Sequence, residues 1–257
     1  MKQRDMIIKN YMSNPEHFAD VFNYFLFDGK QVIRPEKLVE KDNTELKLIP
    51  LFMTDSSNND SYEMAQELQD LLRLCVLMQD EQATYFLLNV KNHSDIIYII
   101  PVISRIYDAL YYQLQQIQDV TIQHKLKPVI TLAIYWSNEK WDGPQCLYDM
   151  FGDIDRNILQ SIVNHPLNLI IPSEIKDFEK FRSDLGKVMK CLAIEGQKEL
   201  YQEISQDKNL QMLSCESAEV LNACIGANIT INNSKKIIDM CKVTENPPTE
   251  DLSNIFK

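Results

Sequence analysis

Residues 70–93 read DLLRLCVLMQDEQATYFLLNVKNH, and the way this stretch folds sets the architecture of the chain. A first apolar run, 70–78, is broken by Gln79-Asp80-Glu81-Gln82, and a second run, 83–90, is apolar and aromatic again. Two antiparallel strands joined by a tight polar turn are expected. A helix over 67–77 competes, because Leu and Met are good helix formers. If the turn is centred between Asp80 and Glu81, Asp70 faces Lys91; a loop two residues longer on one side makes it face His93. In either register the two residues share one face of the sheet, whereas an odd slip would put them on opposite faces.

Working outward, Asn14-Pro15-Glu16 followed by Phe18, Val21, Phe22 and Phe25 predicts a helix that starts on a capping residue with Pro at its first position and ends near Asp28-Gly29. Residues 30–60 read as short extended pieces and loops, with a Ser/Asn/Asp-rich surface loop at 54–61. After Pro101, the spacing of Ile103, Ile106, Tyr107, Leu110, Leu114 and Ile117 predicts an amphipathic helix ending before Lys125. The run 127–136 is the pattern of a buried central strand, and 167–171, between Pro166 and Pro172, is a shorter one. Strand, helix and strand in this order make an α/β core with at least one crossover. Beyond Pro172, Phe178, Phe181, Leu185, Val188 and Leu192 alternate at intervals of three and four, which predicts one helix. Residues 217–225 predict another, stopped by Gly226. The expected organisation is a core over 1–172, a helical annex over 173–242 and a frayed tail over 243–257.

Composition narrows the function. The chain has 257 residues, 45% of them apolar and 25% charged, which suits a folded protein of one large core. A net charge of −11 gives polyanions an average repulsion. The six cysteines show no CxxC, the four histidines no HxxxH pair, and neither GxSxG, GxGxxG nor a P-loop is present. Reduced, mostly buried thiols are expected. No signal-peptide pattern opens the sequence, and its most apolar window, 96–103, is too short to span a bilayer, so a cytoplasmic protein with no membrane partner is expected. What remains is the charged end of the hairpin: Asp70, Lys91 and His93. An acid on one strand and Glu/Asp-x-Lys or Glu/Asp-x-Gln on the next is how many nucleases hold Mg²⁺, the carboxylates binding the ion and the third group orienting the nucleophile.

Several ordered segments carry a resemblance. They are 16–23, 85–110 with Tyr98, Pro101-Val102 and Tyr107-Asp108-Ala109, then 128–135, Trp141-Asp142-Gly143-Pro144, Asp184-Leu185-Gly186 and Asp239-Met240-Cys241-Lys242. In this order, over nearly the whole chain, they resemble the Rpn family of recombination-promoting nucleases, also labelled transposases. The resemblance implies a restriction-endonuclease-like mixed sheet flanked by helices, of the PD-(D/E)XK superfamily, and Mg²⁺-dependent DNA cleavage. It matches Asp70 to the first metal-binding aspartate and Asp20 to an accessory acid in the N-terminal helix. The chain also departs from the family, which usually has Glu-Asn-Gln where Lys91-Asn92-His93 stands and Arg where Ile103 stands.

The departure at Lys91 is the serious one. An ammonium about 4 Å from a dication loses on the order of 8 kcal/mol at an effective dielectric of 20 before it relaxes. Lys91 can instead take the cation's place and pair with Asp70. The expectation is therefore a degenerate site with little or no cleavage, unless Asp20, Asp95 or Glu67 supplies a ligand. Bland roles compete: Asp70 and Lys91 as solvated strand-end charges, His93 as a surface imidazole, Asp20 complementing a helix dipole, Tyr107 in the core and 141–144 as a turn. The implied partners are DNA, with Lys125, Lys127 and Lys140 as candidate contacts. The alternative is a non-catalytic interaction protein that pairs with itself or with an intact family relative.

Overall fold

The computed structural model describes residues 3–40, 71–79, 82–118, 126–232 and 237–240. Asp70, Glu67, Lys125, the loop at 54–61 and the tail from 243 lie outside the described residues.

The sheet is mixed. Its strands are β1 (Leu38–Glu40), β2 (Leu71–Gln79), β3 (Gln82–His93), β4 (Val129–Tyr135) and β5 (Leu169–Ile170), adjacent in that order. β1–β2 and β2–β3 are antiparallel, while β3–β4 and β4–β5 are parallel. The hairpin register runs from Leu71 opposite Val90 to Gln79 opposite Gln82, centred between positions 80 and 81. No helix forms over 71–77, because two apolar runs that pair with each other satisfy their backbone groups across the hairpin.

Helices cover both faces. α1 (Gln3–Met12) and α2 (Pro15–Phe27) precede the sheet, and α3 (Ile100–Gln118) is the crossover that makes β3 and β4 parallel. α2 begins as predicted: the Asn14 side chain accepts from the Glu16 N–H at 2.9 Å with Pro15 at the first position. It ends at Asp28, a left-handed residue with φ 54°. The short α4 (Arg156–Gln160) precedes β5, and α5 (Leu185–Leu192), α6 (Gln197–Gln206), α7 (Cys215–Ile225) and the hairpin of β6 (Ile229–Asn232) and β7 (Ile237–Met240) follow it.

Alternation along β4 divides the core. Leu132, Ile134 and Trp136 join one cluster with Ile8, Tyr11, Phe18, Phe22, Leu185, Val188, Ile204 and Leu221. Ala133 and Tyr135 join another with Ile100, Trp141 and Ile171, on the side of α3. The first cluster takes side chains from both ends of the chain. The change of character at Pro172 is thus one of secondary structure, and the core continues across it.

Three expectations are corrected. The single helix over 178–192 is a 3-10 turn, Phe178–Lys180, followed by loop and then α5. Its backbone is diverted because the Asp20 carboxylate takes the N–H groups of Arg182 and Ser183. Phe181 and Leu185 still pack in one core, so the apolar spacing was real and the helix was not. The annex is also not wholly helical: Gly226, at φ 58°, closes α7 and the β-branched residues after it form the β6–β7 hairpin, with the Asn222 side chain holding both the N–H and the carbonyl of Ile229. Finally, α1 lies where no helix was expected, and α6 adds to the annex a helix that no single pattern had marked.

Gly186 shows what the annex packing tolerates. A Cβ there would stand 2.6 Å from Phe181 Cβ and 3.0 Å from the Phe178 carbonyl oxygen, neither of them the movable end of a side chain. Gly186→Ala is therefore expected to lose about 1–2 kcal/mol in urea unfolding, overpacking outweighing the gain in helix propensity.

Candidate functional site

The last residues of β3 carry the positions on which the sequence reading turns. Parallel pairing sets Lys91 beside Ala133, Asn92 beside Ile134 and His93 beside Tyr135. Paired residues of adjacent strands share a face, so positions 91 and 93 fall on the α3 side and 92 on the other. Asn92 agrees, its Oδ1 accepting from Trp136 Nε1 at 2.9 Å.

His93 is not the surface imidazole expected. It is 4% exposed, and α1 lies against β3. There the Ser94 hydroxyl donates to Asp5 at 3.0 Å, and Arg4 pairs with Asp95 at 2.9 Å. Asp95, one of the fallback acids, is thus committed to an ion pair at the surface. Nothing in the sequence next to His93 announced its burial.

Asp20 is not brought to this site. α2 belongs to the layer on the opposite face of the sheet, and the Asp20 carboxylate, 3% exposed, ties down the loop before α5. It accepts from Arg182 N at 3.0 and 2.9 Å, from Ser183 N at 2.8 Å and from the Ser183 hydroxyl at 2.7 Å. Next to this loop, Asp184 accepts from the Ser214 N–H at 2.8 Å and from Lys187 Nζ at 2.7 Å. In the same network the Tyr11 hydroxyl meets Ser217 at 3.1 Å, and burial raises the Tyr11 phenol well above its ordinary value. Asp184-Leu185-Gly186 and Asp20, all within the segments that carry the resemblance, are thereby given structural work in joining both ends of the chain.

Burial alone would raise the Asp184 carboxyl, but the Lys187 ammonium and the Ser214 N–H outweigh it and hold it below the usual aspartate range. A carboxyl depressed in the folded state adds stability that is complete above its unfolded value, about 3.9, and is lost as pH falls through the folded value. Asp184→Asn is therefore expected to flatten the acid limb of a urea-midpoint profile taken from pH 6 to 2.5.

Of the expected site, positions 91 and 93 are described and Asp70 is not. Mg²⁺ takes oxygen ligands, while the positions here are a lysine and a buried imidazole. Among the described residues, no three His, Cys, Asp or Glu side chains come together to hold a metal ion. Of the cysteines whose side chains are described, only Cys191 is buried, while Cys146, Cys215 and Cys224 are half-buried, against the expectation of mostly buried thiols; desolvation pushes Cys191 and Cys224 up to about 12, where a thiol is a poor nucleophile. Tyr107, 9% exposed, packs in the core, and Tyr112 accepts the Val129 N–H at 3.1 Å. Trp141 is a buried turn residue whose Nε1 donates to the Gly143 carbonyl at 2.8 Å. Lys127 and Lys140 are exposed. Among the described residues no helix is long and apolar enough to cross a membrane.

On the same face of the sheet the structure adds residues that sequence reasoning did not single out. Asp108 of α3 accepts the Thr131 hydroxyl of β4, and the Asn168 amide donates to the Thr131 carbonyl at 2.9 Å, joining helix, strand and the approach to β5. Only the place of Asp108 in a segment of resemblance hinted at it. No protein-family model matches the chain, and no curated protein or solved structure matches it either.

Proposed function

We propose that this chain is a homologue of the Rpn recombination-promoting nucleases, with a restriction-endonuclease-like core whose magnesium site is degenerate, so that it cleaves DNA little or not at all. The observation that carries the reading is the hairpin register together with the parallel β3–α3–β4 crossover. These place positions 91 and 93 side by side on one face at the end of the central strand, where the resemblance has Glu and Gln. Lysine there opposes a dication and supplies no oxygen, so no hydrolytic step is assigned to a metal in this chain. Retained contact with DNA is compatible with the loss of cleavage, since phosphate binding needs only cations.

The test is plasmid nicking with Mg²⁺ or Mn²⁺, accompanied by calorimetric titration of each metal. The expected result is no saturable metal binding and no nicking above buffer. Metal-dependent nicking that Asp70→Ala abolishes would overturn the degenerate site, and salt-dependent retention on DNA with no cleavage would support it.

A further inference from the structure

We draw no further inference here: the strongest candidate, the surface patch of exposed apolar side chains Ile154, Ile158 and Val163 around α4 on the segment that joins β4 to β5, is an unpartnered apolar face, and nothing in the structure shows what covers it.

Discussion

Asp20→Ala is expected to destabilise the protein by about 3–4 kcal/mol, a larger loss than that of Gly186→Ala. The carboxylate serves two backbone N–H groups and one hydroxyl, all on residues more than 160 positions away along the chain. Bonds to a charged acceptor contribute about 1.5–3 kcal/mol each, and removing the acceptor leaves three donors at a part-buried place where water replaces it poorly. For a chain of this size the loss corresponds to a fall in melting temperature on the order of 10 °C. Asp20→Asn should lie between the two, since its amide keeps one acceptor oxygen but turns an N–H donor toward the others. Urea unfolding with and without Mg²⁺ separates the tether from a metal-binding role. A tether predicts the same loss in both conditions, while a ligand predicts a difference that appears only with the metal. A variant as stable as the parent would mean that the loop at 181–184 is held by its apolar contacts alone.

That tether also marks where the sequence stops being legible. The hairpin could be read because four polar residues interrupt two apolar runs, and a turn centred between 80 and 81 has one register. α2 and α7 could be read because their ends are written locally, in Asn14-Pro15 and in Gly226. At 178–184 the apolar spacing is helical, yet the backbone follows a carboxylate supplied by α2, and no local signal encodes that. α1 buries only Ile8, Tyr11 and Met12, a stripe too short to stand out, and its helix is stabilised by packing against α7. The site was legible in part for the same reason: the alternation that puts 91 and 93 on one face is local to β3, while the pairing of Asp108 with Thr131 joins a helix to a strand across 23 positions.

Lys91→Glu is expected to create divalent-metal binding where the parent has none, raising Mn²⁺ affinity by about three orders of magnitude. At an effective dielectric of 20, a unit charge about 4 Å from a dication changes its energy by about 8 kcal/mol, so reversing the sign spans about 16 kcal/mol before any relaxation. If a quarter of that survives the movement of side chains and water, about 4 kcal/mol remains, which is close to a thousandfold in Kd. Lys91→Met separates the two contributions. It removes the repulsion without adding an oxygen, and should bind Mn²⁺ far more weakly than the glutamate variant because a hard cation needs the ligand as well as the absence of a like charge. Asp70→Ala on the Lys91→Glu background should abolish the gain, as the register sets the start of β2, at Leu71, against Val90 near the end of β3. Calorimetric titration of the three variants reads each step. Absence of binding by Lys91→Glu, with the fold intact by circular dichroism, would show that position 91 is not where the acid belongs. The hairpin register would stand, and the proposal of a degenerate nuclease site would lose the residue that explains its inactivity.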